Sequence, residues 1–173
     1  NGIDDLRAFC YAKRGVIPLF GNALMMENIR SRFGYTLLPP GTHWDKPVLE
    51  AHTVAGAFSL GGVGVQPIPV SHGNWEILGW RIGKVAYLTD VSAISEASYA
   101  LLAGVELLLL DCLRMTPYPS HLGFYQSLEV AQRVGAAETV LIHMTHELAY
   151  QTLSELCPNG VRVGWDGLRV RVA

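Results

Sequence analysis

The pattern of apolar residues changes near residue 95, and this change limits the folds that the chain can adopt. Between residues 48 and 91, five short β-rich runs follow one another closely, and Gly83-Lys84 predicts a hairpin between the last two. After residue 95, predicted helices at 95–104, 121–134 and 146–156 alternate with predicted strands at 105–111 and 139–144. This order predicts an α/β fold of the α+β type, in which a mixed sheet carries helices on one outer face.

The two ends of the chain add further predicted elements. A helix over 4–14, a strand over 15–21 and a helix from an Asn22 cap to Phe33 precede a proline-rich loop at 34–47. The closing stretch "VRVGWDGLRVRVA" predicts two short strands joined across Asp166-Gly167. Because no linker or repeat interrupts the 173 residues, we expect a single domain over 1–173.

The composition argues against several classes of protein. Half of the residues are hydrophobic and 16% are charged, which is typical of an ordered globular chain. The net charge of −2 provides no basic surface, so we expect no nucleic-acid partner. No apolar run reaches the roughly 18 residues of a membrane helix, so we expect no membrane partner. The three cysteines are widely spaced in apolar surroundings, which favours reduced thiols and a cytoplasmic location.

Four of the predicted strands end in a residue that can bind a metal ion or transfer a proton. They are His72, Asp90, Asp111 and His143, at the ends of "VQPIPVSH", "VAYLTD", "VELLLLD" and "TVLIH". Burying a bare carboxylate or imidazole is costly unless the group is paired or bound to a metal ion. We therefore expect these strand ends to converge on one edge of the sheet, where α/β sheets place their sites.

Each of these residues also has an ordinary structural explanation. A single histidine at a strand end is commonly a hydrogen-bonded structural residue, Asp90 can form a turn or cap a helix, and Asp111 can anchor the loop that follows. Taken together, however, His72, Asp90 and His143 indicate a site for Zn²⁺, Mn²⁺ or a similar ion. Three ligands are too few for two ions, so further ligands would have to come from elsewhere.

Two more histidines lie at predicted helix starts. His121 and His146 are expected in the first turns of their helices, with Ser120 and Thr145 as the respective caps. Taken alone, His121 is typical of a surface residue and His146 of a structural one. His43 and His52 lie in a loop-rich region and are assigned no role.

The motifs around these residues resemble those of a known family. In order, "VSHG", "VAYLTDV", "LLLLDCLR", "PSH", "VLIHMTHEL" and "GWDGLRV" resemble the second half of a metallo-β-lactamase-fold hydrolase. The branch is similar to the phosphoribosyl 1,2-cyclic phosphate phosphodiesterase of phosphonate breakdown. The resemblance covers essentially the whole chain and implies a metallo-β-lactamase-like αββα fold, here its C-terminal two-thirds. Because the family's His-x-His-x-Asp-His motif is absent from the sequence, it implies an N-terminally truncated domain or a decayed relative.

The resemblance also implies a role for each candidate residue. His72 would bind one divalent metal ion, His143 would bind a second, and Asp90 would bridge the two, with Zn or Mn as the metal. His121 matches a histidine that the family uses as a proton donor near the leaving group. Asp111 matches no ligand position, and its expected role is a hydrogen bond to a metal-binding histidine.

The expected function is metal-dependent hydrolysis by a phosphodiesterase. Its substrate would be a small-molecule phosphate ester, cyclic or a diester, attacked by a water that two metal ions activate. Arg114 could hold a substrate phosphate, although a solvated loop arginine is the simpler explanation. A homodimer is also expected. Two alternatives remain open: hydrolysis of a lactone, a thioester or an RNA 3′ end on the same fold, and a non-catalytic domain.

Overall fold

The computed structural model describes residues 2–39 and 45–172. The strands are β1 (Ile17–Gly21), β2 (Leu49–Thr53), β3 (Phe58–Leu60), β4 (Val63–His72), β5 (Trp75–Ile82), β6 (Val85–Leu88), β7 (Ala93–Ile94), β8 (Leu107–Asp111), β9 (Glu138–Ile142) and β10 (Val161–Val163). The α-helices are α1 (Arg7–Lys13), α2 (Ala23–Phe33), α3 (Glu96–Leu101), α4 (Phe124–Val134) and α5 (Tyr150–Leu156), and 3₁₀ helices occupy Ile3–Leu6 and Gly34–Leu37. The chain divides into two compact units after Ala55. The predicted α+β class is confirmed.

The first unit is built around a β–α–β arrangement. Strands β1 and β2 pair in parallel, with Ile17 opposite Leu49, and α2 supplies the crossover that two parallel strands require. The side chain of Asn22 caps α2 as predicted, because its Oδ1 accepts a hydrogen bond from the Met25 N–H at 2.8 Å. Grouping β2 with the strands that follow it is wrong, since its pairing partner is β1. His43, with the rest of residues 40–44, lies outside the described residues.

The second unit contains a mixed sheet of eight described strands. Their order is β10-β9-β8-β6-β5-β4-β3, and β7 pairs with β4. Strands β6, β8, β9 and β10 are mutually parallel, whereas β5 runs antiparallel to both β4 and β6. The predicted hairpin between β5 and β6 is confirmed, with Gly83 in the left-handed conformation that such a turn needs (φ 58°).

This topology decides where the polar strand ends lie. Because β5 is antiparallel to both of its neighbours, β4 runs in the same direction as β6, and therefore as β8 and β9. The ends of these four strands consequently face the same side of the sheet, which we call the carboxyl edge. The opposite side, where β6, β8 and β9 begin, is called the amino edge.

Helices α3, α4 and α5 cover one face of this sheet. Leu108 and Leu110 of β8 pack with Val130 of α4 in one buried cluster, and Leu141 of β9 packs with Leu153 of α5 in another. Alternate residues of each strand point to this face, as the period of a strand requires. No helix in the described ranges combines the length and apolar character that a bilayer crossing demands.

Two helices begin later than the sequence indicates. Helix α4 starts at Phe124 with Gly123 as its cap, so Ser120 is not a cap and His121 is outside the helix. Helix α5 starts at Tyr150, after a turn that contains His146. In both places, polar and small residues give the sequence pattern of a helix N-terminus, but the local backbone forms hydrogen bonds within a loop instead.

The predicted closing hairpin does not form. Only Val161–Val163 is a strand, and it pairs in parallel with β9. The turn at Asp166-Gly167 is present, with the N–H of Leu168 donating to the carbonyl oxygen of Trp165 at 3.0 Å. The residues from 164 to 172 contain no second strand. Pairing with β9 satisfies the backbone of β10 on that side, and this long-range contact was not visible in the local pattern.

Candidate metal centre

The carboxyl edge brings the polar strand-end residues together. Atom Nε2 of His143 lies 3.3 Å from Oδ1 of Asp90. One ligand atom each from His72, Asp90 and His121 lies within 4.8 Å of the other two, and Asp111, His121 and His143 form a second group with the same spacing. The expected convergence of these strand ends is therefore confirmed, although they are far apart in the sequence.

The backbone is unusual at two of these residues. Asp90 and His143 have positive φ angles of 56° and 64°. In the described part of the chain, Arg14 is the one other non-glycine residue with this property. A residue with a side chain pays roughly 1–3 kcal/mol for a sparsely populated backbone conformation, and such residues concentrate at functional sites. Asp90 and His143 thus have side chains that meet at 3.3 Å and a strained backbone conformation just after a strand.

The ring of His72 has a defined tautomer. Its Nδ1 lies 2.9 Å from the backbone carbonyl oxygen of Ser120. Because a carbonyl oxygen only accepts hydrogen bonds, Nδ1 must carry the proton and donate it, which leaves the lone pair of Nε2 available. Metal-binding histidines are commonly oriented by a contact of this kind.

Asp111 is a buried carboxylate that contacts two imidazoles. Its side chain is fully buried. Oδ2 accepts the N–H of Leu122 at 3.0 Å and lies 3.3 Å from Nδ1 of His121. Oδ1 lies 3.4 Å from Nδ1 of His143. Burial raises the pKa of Asp111, and the Leu122 N–H and the two imidazoles act in the opposite direction.

His121 occupies the centre of the histidine group. Its ring stacks on that of His143, with centroids 4.9 Å apart and an interplanar angle of 18°. It also meets the ring of His72 edge to face, at 4.8 Å and 76°. Only 9% of His121 is exposed, so the surface position suggested by its sequence alone is wrong.

The donor set at this edge fits a divalent ion of the zinc type. Imidazole nitrogens and carboxylate oxygens are the ligands that such ions take. Two ligand atoms of a tetrahedral zinc ion with bonds of about 2.0–2.1 Å lie about 3.3–3.4 Å apart. His143 Nε2 and Asp90 Oδ1 have that separation, 3.3 Å. When Nδ1 of His143 donates to Asp111, the lone pair of His143 Nε2 faces a lone pair of Asp90 Oδ1. A cation bound by both atoms would stabilise that contact.

A second group of residues flanks the histidines. The guanidinium carbon of Arg114 lies 4.7 Å from the centre of the Tyr118 ring, and that ring is 6.1 Å from the ring of His121. Nε of Arg114 is buried and has no hydrogen-bond partner among the described residues, since Glu147 is 4.0 Å away. From the sequence, Arg114 was either a contact for a substrate phosphate or a solvated loop arginine, and its contact with Tyr118 beside His121 depends on the tertiary fold.

The remaining candidates are not members of either ligand group. His52 belongs to the first unit, where it stacks on Phe20 with centroids 4.8 Å apart. His146 is exposed. Cys112 is fully buried, and burial raises the pKa of its thiol to about 12, so it is a poor nucleophile.

Comparisons with known proteins agree with this geometry. The family model described as a β-lactamase superfamily domain matches residues 1–144. A crystal structure of a new diphosphatase from the PhnP family is 32% identical, with a TM-score of 0.84 over 95% of this chain and 62% of that one. The metallo-β-lactamase-fold protein YhfI from Bacillus subtilis is 16% identical, with a TM-score of 0.71 over 95% of this chain and 70% of that one; at that identity it shows the fold alone.

A longer protein also matches. The chain is 31% identical over 175 residues to an octanoyltransferase of Porphyromonas gingivalis (strain ATCC BAA-308 / W83), which covers 97% of this chain and 34% of that protein. The chain therefore spans about a third of the length of this curated relative, and 62% of the diphosphatase.

Fold and relatives define a class of protein, those with a metallo-β-lactamase fold. The chain belongs to the β-lactamase superfamily domain family, whose model matches most of its length. The resemblance noted in the motifs is confirmed. The carboxyl edge holds side chains suited to divalent metal ions such as zinc.

Proposed function

We propose that this protein is a metal-dependent phosphodiesterase that hydrolyses a small cyclic or diester phosphate with the help of two divalent ions, Zn or Mn. The observation that carries the proposal is the meeting of His143 Nε2 and Asp90 Oδ1 at 3.3 Å, beside His72 and His121. The structure that is 32% identical to this chain is that of a diphosphatase, and this name supports a phosphate-containing substrate over a lactone or a thioester.

Three residues of this chain would hold the metal ions. His72 would bind one ion through Nε2, the nitrogen left free by its contact with Ser120. His143 would bind the other through Nε2, and Asp90 would share its carboxylate between them. When bound, such ions polarise the phosphoryl oxygens and lower the pKa of a bound water toward neutrality.

His121 is the proposed proton donor. Its Nδ1 faces the carboxylate of Asp111. In the imidazolium form, in which both ring nitrogens carry a proton, Nδ1 donates to Asp111 and Nε2 can give its proton to the leaving oxygen. Protonating that oxygen prevents the expulsion of an alkoxide, which is a poor leaving group in water. The low exposure of the ring excludes most competing water from this step.

Arg114 is the proposed contact for a second anionic group of the substrate. Its guanidinium is held against the Tyr118 ring at 4.7 Å, and its Nε has no hydrogen-bond partner among the described residues. A planar guanidinium binds phosphate oxygens through two parallel hydrogen bonds. A phosphodiester with a further phosphate or carboxylate within reach of Arg114 is therefore favoured.

The kind of substrate, the oligomeric state and the cellular location are part of the same proposal. A small-molecule substrate rather than a nucleic acid suits the net charge of −2. We also propose a homodimer and a cytoplasmic location, in keeping with free thiols at Cys10, Cys112 and Cys157.

The test compares substrates and two neighbouring histidines. The purified protein, loaded with zinc or manganese, is assayed with bis-p-nitrophenyl phosphate, a cyclic nucleotide, a lactone and a thioester. We expect hydrolysis of the phosphodiesters, and its loss in His143→Ala but not in the matched control His146→Ala, which removes an exposed histidine three positions away. Turnover of the lactone or thioester alone, or equal activity in both variants, would contradict the proposal.

A further inference from the structure

Asp111 stands between the two histidines to which the proposed function gives different roles. Its carboxylate contacts Nδ1 of His143 at 3.4 Å and Nδ1 of His121 at 3.3 Å. We propose that Asp111 is a positioning residue that keeps a proton on Nδ1 of both imidazoles, so that Nε2 of His143 is free to bind a metal ion and Nε2 of His121 is the atom that faces the leaving group. This inference rests on the proposed function, because it concerns how His143 is prepared for a metal ion.

The two oxygens of Asp111 serve three donors. Oδ2 accepts the backbone N–H of Leu122 at 3.0 Å. Nδ1 of His121 lies 3.3 Å from Oδ2, but its hydrogen bond is with Oδ1, at 3.4 Å. Oδ1 also faces Nδ1 of His143, at 3.4 Å. A carboxylate oxygen has two lone pairs, so both imidazoles can donate to Oδ1 from Nδ1 at the same time.

An amide at this position cannot serve all three donors. The N–H of Leu122 is a backbone donor that cannot be reversed, so Asp111→Asn must place its carbonyl oxygen at the position of Oδ2. The amide NH₂ then takes the place of Oδ1 and donates toward Nδ1 of both His121 and His143. To avoid opposed donors, each imidazole has to accept at Nδ1 and carry its proton on Nε2.

An acceptor on the opposite side of the His143 ring favours the move of its proton from Nδ1 to Nε2. Oδ1 of Asp90 lies 3.3 Å from Nε2 of His143, so a proton that moves to Nε2 finds an acceptor there. A protonated Nε2 has no lone pair for a metal ion. One substitution therefore disables His143 as a ligand, and it reverses the direction of the hydrogen bond between Asp111 and His121 as well.

Ser127 provides a control at the same buried place. Its hydroxyl donates to the backbone carbonyl oxygen of Asp111 at 2.7 Å, and its side chain is fully buried. Ser127→Ala removes a buried hydrogen bond to Asp111 but no contact with an imidazole. It reports the cost of disturbing this part of the core without altering the acceptor that His143 meets.

The test observes the ring nitrogens of His143 directly. Long-range ¹H–¹⁵N spectra of the metal-free protein distinguish a protonated ring nitrogen from a bare one, and His143→Gln assigns the signals. We expect Nδ1 of both His121 and His143 to be protonated in the wild type and in Ser127→Ala, and bare in Asp111→Asn. Competition titration should show zinc affinity lower by about 10- to 100-fold in Asp111→Asn and unchanged in Ser127→Ala.

The outcomes separate this inference from the proposed function. A protonated Nδ1 of His143 in a folded Asp111→Asn overturns the inference, and a loss of zinc without that change would mean that Asp111 is itself a ligand. Circular dichroism shows whether the variant is folded; if it is not, Asp111→Glu, which keeps a carboxylate, must retain the protonated Nδ1 or the inference fails. If the wild type binds no zinc, the proposed function fails, while the nitrogen spectra still decide the role of Asp111.

Discussion

The two edges of the large sheet use their charged residues in opposite ways. At the amino edge, Nζ of Lys84 lies 2.6 Å from Oε1 of Glu106, and Arg162 forms an ion pair with Glu138. Each carboxylate there has a permanent cation as its partner, and all four side chains are partly exposed. Exposed ion pairs of this kind are typically worth between 0 and about 1 kcal/mol.

At the carboxyl edge, the carboxylates meet imidazoles instead. Asp111 is fully buried between His121 and His143, and Asp90 faces His143 from the other side. An imidazole can donate, accept or bind a metal ion, so these contacts retain a coordinating capacity that a lysine or arginine would remove. One end of these strands therefore carries charges that are already paired with permanent cations, whereas the other carries groups that can still bind a metal ion.

The largest effect should come from the proposed bridging carboxylate. In Asp90→Asn, the shared negative charge is lost, so we expect zinc affinity to fall on the order of 100-fold or more and phosphodiester hydrolysis to disappear. Glu106→Gln removes a carboxylate at the amino edge and should leave zinc affinity unchanged. Zinc titration of both variants checks the comparison, and equal losses would show that the two edges do not differ as described.

The next effect concerns proton transfer by His121. His121→Ala should lower turnover by about 10²- to 10⁴-fold, the range for the loss of a general acid, while the zinc content stays at the wild-type level. The measurements are kcat and elemental analysis of the same preparation. Because His121 also belongs to a group with ligand spacing, loss of zinc in this variant would assign it as a ligand and reject the proton-donor role.

A smaller effect is expected from the proposed substrate contact. Arg114→Met keeps the apolar stem over Tyr118 but removes the charge, so KM for a substrate with a second anionic group should rise about tenfold, the value of one charge-assisted hydrogen bond. Hydrolysis of bis-p-nitrophenyl phosphate, which has no such group, serves as the internal control. A similar rise in KM for both substrates would place Arg114 outside the substrate site.

The sequence predicted most of the sheet, because its strands carry local information. Strand β9 is an uninterrupted apolar run, and the β5–β6 hairpin depends on Gly83, whose positive φ suits a tight turn. The starts of α4 and α5 were misplaced because the caps indicated by Ser120 and Thr145 compete with loop hydrogen bonds, such as that from the Thr145 N–H to the Leu113 carbonyl oxygen at 2.9 Å. Those contacts depend on the packed sheet and cannot be seen locally.

The candidate site likewise contains contacts that the sequence predicts and contacts that it does not. That His72, Asp90 and His143 come together follows from polar residues placed at the ends of apolar strands, a pattern that the sequence contains. The contact of Asp111 with two imidazoles does not follow from the sequence. It requires the loop after β8 to fold back, so that His121 lies beside the end of β8. The assignment of a proton to Nδ1 of each histidine depends on that return and could only be inferred from coordinates.

The smallest expected effect concerns Cys112. It tests whether a cysteine at the carboxyl edge has a function merely because a thiol can act as a nucleophile. Cys112 follows Asp111 directly, yet burial raises the pKa of its thiol from the 9.0 of an exposed cysteine to about 12. Folding therefore disfavours the thiolate, and its contribution to stability is present below pH 9.0 and is lost as the pH rises toward about 12. We expect Cys112 to resist iodoacetamide in the folded protein at neutral pH, and Cys112→Ala to weaken the alkaline loss of stability measured by urea unfolding. Rapid labelling of Cys112 in the native protein would contradict this, because a buried, protonated thiol does not react, and would return the residue to the list of functional groups at this edge.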